Sequence, residues 1–198
     1  MEIDMYKKQM ILQRIVCYAM LVAAALVFIY SLGILTDMYE CKFAYYAENY
    51  EKVPPKVAGT EIYYIMQGFN RDLTTCGIVL ILLAVTQFLF KNHARRKYYI
   101  ANYITVVVNT VATVVASVWA LGEISTYREQ YLKIDFAAMK ERAEMMKFPY
   151  TESTFWFDIS SVVFGFLLIA TVFNVINLIL KIVVMNAEKK LIEAGKEE

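Results

Sequence analysis

Asn102, Thr105, Asn109, Ala112, Thr113, Ala116 and Ala120 form a continuous stripe at spacings of three and four, the period of one helix face. Val107, Val111, Val114, Val115 and Val118 occupy the other side. Carboxamides and hydroxyls donate and accept hydrogen bonds without carrying charge. A row of them can therefore bind helices together or line a path for a polar solute. A second stretch repeats the theme through Thr171, Asn174, Asn177 and Lys181, and Gln87 stands at a position from which it can join. The expected packing or partner face is Asn102, Asn109, Ala112, Thr113, Ala116, Ala120, Asn174 and Asn177.

Other chemistry finds less material. The single histidine, His93, sits among Lys91, Arg95, Arg96 and Lys97, where a solvated or headgroup-contacting ring is expected rather than a general base. The sequence contains no HExxH, GxSxG, CxxC or glycine-rich phosphate loop. No catalytic residue, metal ligand or cofactor is expected, and the chain is not read as an enzyme. Cys17 and Cys76 fall in apolar stretches and read as small hydrophobes, whereas Cys41 lies in a polar connection. Asp72 before Thr74-Thr75 and Asp158 before Ser160-Ser161 read as helix caps or first-turn acids.

The elements that position these residues are four uncharged apolar runs: Ile15 to Leu35, Leu73 to Phe90, Tyr98 to Gly122 and Ile159 to Leu180. A helix rises ~1.5 Å per residue, so ~20 residues cross ~30 Å of hydrocarbon. With 198 residues and 59% hydrophobic content, four spans and their connections use the whole chain. The expected fold is an all-α integral membrane four-helix bundle, a single membrane domain over residues 1–198. No Asp, Glu, Lys, Arg or His lies inside any run, which removes the usual signature of proton relays, ion-coupled pumps and voltage sensors.

Lys and Arg beside a span resist translocation, so their distribution sets orientation. Residues 1–14, 91–97 and 181–198 hold 11 basic against 6 acidic residues, while 36–72 and 123–158 hold 9 against 13. Both termini and the 91–97 loop are thus expected in the cytoplasm, with a plasma or inner membrane favoured as host. The basic rim suits anionic lipid. It has neither the extent nor the aromatic platform of a nucleic-acid surface.

Lys7 to Gly33 overlays Arg96 to Gly122 without a gap, pairing Ile15 with Ile104 and Leu32-Gly33 with Leu121-Gly122, and Asp72 overlays Asp158. The expected architecture is two similar hairpins in parallel-repeat relation. Tyr39, Phe43, Tyr46 and Tyr50 in one outer loop, and Tyr127, Tyr131, Ile134 and Ala138 in the other, keep a helical period. The first and third helices are therefore expected to extend beyond the bilayer until Pro54-Pro55 and Pro149 stop them.

Abundant packing faces without a reactive constellation point to a non-catalytic structural or accessory subunit. Its expected partners are the lipid bilayer and other membrane-protein subunits or copies of itself. The rival reading is an oligomeric channel or pore conducting ions or small solutes past Asn109, Asn174 and Asn177.

Overall fold

A computed structural model of the protein describes residues 2–39, 57–91, 99–147 and 150–195. The described residues form α1 (Glu2–Tyr39), α2 (Ile62–Lys91), α3 (Tyr99–Tyr131), a short α4 (Phe136–Met146) and α5 (Phe155–Ala194). The expected course of Phe43, Tyr46 and Tyr50, the stops at Pro54-Pro55 and Pro149, Cys41, and the loop carrying His93 lie outside the described residues.

The described residues are all-helical, and among them four helices are long and apolar enough to span a membrane: Lys7–Leu35, Ile62–Phe90, Ile100–Tyr131 and Phe155–Ala187. In α1, Val16, Met20, Ala23, Val27, Tyr30 and Ile34 are buried at spacings of three and four. The opposite face, Ile11, Ile15, Val22 and Ile29, is equally apolar yet exposed, Ile15 at 60%. A helix hydrophobic on every side suits neither a soluble surface nor a solvated loop, and lipid is the solvent that satisfies it.

Two compact units divide the described chain. The first gathers residues 1–24, 79–115 and 166–198, and so carries both termini. The second gathers residues 25–78 and 116–165.

Tyr131 centres the core of the second unit. It is fully buried, its hydroxyl donates to the Thr151 carbonyl at 2.8 Å, and its ring meets Tyr63, Phe136 and Phe157 with centroids 6.4, 5.3 and 5.2 Å away. Such aromatic pairs each add roughly 0.5–1.5 kcal/mol beyond their buried area. Val57, Met66, Ile134, Met139 and Ala143 are buried in the same unit.

Helices also approach closely here. A Cβ on Gly77 would stand 2.9 Å from the Phe28 Cα, so α1 and α2 meet at a point where only glycine fits. One on Gly33 would stand 2.1 Å from the Trp156 ring, whereas Gly122, its counterpart in the sequence overlay, faces open space.

Two helix boundaries differ from the sequence reading. The second apolar run belongs to a helix that begins at Ile62, placing Asp72 about three turns inside α2 and not at its cap. No proline lies between Thr60 and Asp72, the helix runs through Gly68, and the hydroxyls of Thr74 and Thr75 bond back to the carbonyls of Asn70 and Arg71. Asp158 does lie in the first turn of α5, accepting from Thr154 at 2.6 Å and pairing with Arg128 at 3.1 Å. The two overlaid aspartates therefore occupy unlike places. The pair with Arg128 is solvent-exposed, so Arg128→Ala is expected to leave the thermal midpoint within error in a detergent melt.

The second difference lies after the third run, where α3 ends at Tyr131 instead of continuing to Pro149. The Asp135 side chain accepts from the Ala138 amide at 3.0 Å and caps a new helix, while the Asp135 amide donates to the Ala58 carbonyl at 3.2 Å. A side-chain cap and a tertiary contact thus satisfy the backbone groups that an unbroken helix would pair. Lys147 closes α4 in the left-handed region, at φ 57°. That conformation costs a side-chain-bearing residue roughly 1–2 kcal/mol. Lys147→Gly is expected to raise stability by about 0.5–1 kcal/mol after its entropic cost, read from denaturant unfolding.

Candidate functional site

The strongest convergence of polar side chains lies in the first unit and is built from neutral groups. The stripe of α3 turns inward: Asn102, Asn109, Thr113, Ala116 and Ala120 are buried and Ala112 is half-buried, while Val107, Val111, Val114, Val115 and Val118 are exposed, Val118 at 69%. Asn174 and Asn177 on α5 are buried as well.

Gln87 of α2 is the hub. Its Oε1 accepts from Asn109 Nδ2 at 2.7 Å, and its Nε2 donates to Asn174 Oδ1 at 2.6 Å. Asn174 Nδ2 lies 3.4 Å from both Gln87 Oε1 and Thr110 Oγ1. Three helices that are far apart in sequence are thereby tied through one glutamine. A one-turn slip of any of them, about 5.4 Å, would break the bonds that helix makes to the other two.

A second group joins α1 to α5. Gln9 Nε2 donates to Gln13 Oε1 at 3.1 Å and to Asn177 Oδ1 at 3.2 Å, and both glutamines are buried. The hydroxyls complete the pattern by bonding within their own helices. Thr113 donates to the Asn109 carbonyl and Thr171 to the Leu167 carbonyl. Buried polar groups in hydrocarbon need partners, and here they find them in one another.

Of the side chains that meet here, the sequence singles out Asn109, Asn174, Asn177 and Gln87, but not Gln9 or Gln13, while Asn102 is buried on the same face. Their signal was present: Gln9, Gln13, Val16, Cys17 and Met20 continue one helical face. Because the apolar run was started at Ile15, these residues fell among the polar flank. Also on the first unit, Lys181 of α5 is half-buried, with its Nζ 5.8 Å from the centre of the Tyr103 ring on α3.

Among the described residues, no three His, Cys, Asp or Glu side chains gather at a distance that would hold a metal. What the site does chemically is bind helix to helix with uncharged hydrogen bonds, each typically ~0.6 kcal/mol and rarely above ~2. Compared with known proteins, the chain matches no family model, no curated protein and no solved structure.

Proposed function

We propose that this protein is a non-catalytic structural or accessory subunit of a membrane assembly. Its termini lie in the cytoplasm, and it meets other membrane proteins, or copies of itself, through the outward faces of its helices and its extramembrane connections. One observation carries this reading. The amides Gln87, Asn109 and Asn174 bond to one another at 2.6 to 3.4 Å, and Gln9 bonds to Gln13 and Asn177, so these groups act as interhelical fastening. What the helices then offer a neighbour is apolar, above all the valine face of α3.

The polar stripe itself is taken up inside the chain, and this reading puts partner contacts on the valine face and on the exposed side chains of the second unit. Of these, Leu132 and Met145 are exposed beside Lys133 and Glu144, outside any apolar run. Exposed apolar residues that lipid does not cover favour contact with protein.

The alternative reading, a channel or pore, draws on the same residues. It requires Gln87, Asn109 and Asn174 to part and offer their amides to a solute. Flux separates the two. Liposomes containing the purified protein are expected to leak small ions and polar solutes no faster than empty ones. Leakage that Asn109→Leu abolishes, in a variant that still folds, would overturn the subunit reading in favour of the pore.

A further inference from the structure

Lys181 lies inside the membrane-length stretch of α5, Phe155–Ala187, where a cation is costly and is by default a sign of function. Spacings of four and three put it on the same face as Asn177 and Asn174, both buried, so it stands on the inward side of its helix. Two neighbours fix where its charge is. The ammonium is 5.8 Å from the centre of the Tyr103 ring on α3, and its charge interacts with the buried Cys17 on α1. The cation thus lies among α1, α3 and α5 of the first unit.

The polar groups one turn away are arranged to donate. Asn177 is one turn from Lys181 on α5, and Gln13 is one turn from Cys17 on α1. Gln9 joins these two, its Nε2 donating to Gln13 Oε1 at 3.1 Å and to Asn177 Oδ1 at 3.2 Å, so both oxygens lie around a single nitrogen. That leaves the amide nitrogens of Gln13 and Asn177, each with its N–H donors, and among the described residues neither donates a hydrogen bond. Gln13 is 4% exposed and Asn177 2%, so both amides are shut away from bulk water. Buried donors want an acceptor, and amide N–H groups beside an ammonium complement a negative charge.

We propose that the Lys181 ammonium and the amide nitrogens of Gln13 and Asn177 bind a small monovalent anion of the halide class. Because the amides are buried, the ion enters without most of its hydration shell, and the donors replace it. Its charge offsets the cost of a cation in the apolar layer, while the ring of Tyr103 holds the lysine turned inward. The site stands whether the protein acts as a subunit or as a pore, since it needs neither a partner chain nor a conducted ion.

The test uses the full chain in mild detergent, with chloride as the probe, exchanged for gluconate at constant ionic strength. The folding equilibrium constant of the wild type is expected to rise about 11-fold at a chloride concentration ten times the dissociation constant, read as a higher unfolding midpoint. Lys181→Gln should lose this response, Lys181→Arg should keep most of it, and Lys7→Gln, on the exposed basic flank, should leave it unchanged. Asn177→Asp is the more selective variant. It keeps the oxygen that accepts from Gln9, replaces the donor by a second oxygen and gives Lys181 a negative charge inside the chain, so it should fold and ignore chloride. A wild-type midpoint that does not depend on chloride overturns the proposal, and so does a full chloride response in Lys181→Gln or Asn177→Asp. Should Lys181→Gln fail to fold, Asn177→Asp decides.

Discussion

Replacing Gln87 by leucine is expected to destabilise the fold by roughly 2–3 kcal/mol, the largest effect of any single polar substitution in the bundle. The estimate follows from the bonds that end on this side chain: Asn109 at 2.7 Å, and Asn174 at 2.6 and 3.4 Å. Interhelical hydrogen bonds average only ~0.6 kcal/mol each, because the unfolded chain in a membrane also finds partners. The greater part of the loss comes from leaving the Asn109 and Asn174 amides buried without Gln87. Reversible unfolding in mixed micelles measures it. The mechanism has a second signature: adding Asn109→Leu and Asn174→Leu to Gln87→Leu should recover part of the stability, since no orphaned amide then remains. If the triple variant is as unstable as the sum of the singles, the amides contribute by something other than mutual satisfaction.

Gly77→Val is expected to cost about 1–3 kcal/mol and to separate α1 from α2. Even a Cβ at residue 77 would stand 2.9 Å from the Phe28 Cα and 3.2 Å from its N and Cβ. Backbone atoms cannot rotate away as a side-chain tip can, so the helices must part. Small residues are what allow this kind of approach in a membrane, where no hydrophobic force drives helices together and close van der Waals contact takes its place. Gly122→Val provides the contrast, because nothing lies within 4 Å of a Cβ built there. The same melt should show Gly77→Val well below wild type and Gly122→Val near it. Similar losses at both positions would remove the close-packing explanation.

Much of the fold was legible because hydrocarbon imposes a single demand over a long stretch. Any chain crossing it must satisfy its backbone internally, and four runs of the right length leave little choice. The inward face of α3 was legible for a related reason: Asn, Thr and Ala alternate with Val at helical spacing, and the amides seek protein while the valines tolerate lipid. Helix ends were less readable. Asp72 has the neighbours of a cap, yet α2 starts ten residues earlier: no proline stands in the way, and the helix runs through Gly68.

Asp135 has no breaker beside it either, yet α4 starts anew there. Its own side chain caps α4, and the turn at Ala58 takes its amide. Contacts of that kind join residues distant in the chain and carry no local signature. The same holds for Gln9 and Asn177, separated by 168 positions and bonded at 3.2 Å. Lys181 shows how a boundary choice alters meaning. It stands one residue past the fourth apolar run, yet α5 continues through it and its ammonium lies 5.8 Å from the centre of the Tyr103 ring.

The polar core binds the helices together, and the protein's role is proposed to reside in the surfaces left over. Native mass spectrometry of the protein drawn from its own membrane directly into lipid nanodiscs tests that proposal at its root. A defined assembly is predicted, either several copies of this chain or this chain bound to another membrane protein in fixed ratio. A population consisting only of single copies, with no protein bound, would contradict it.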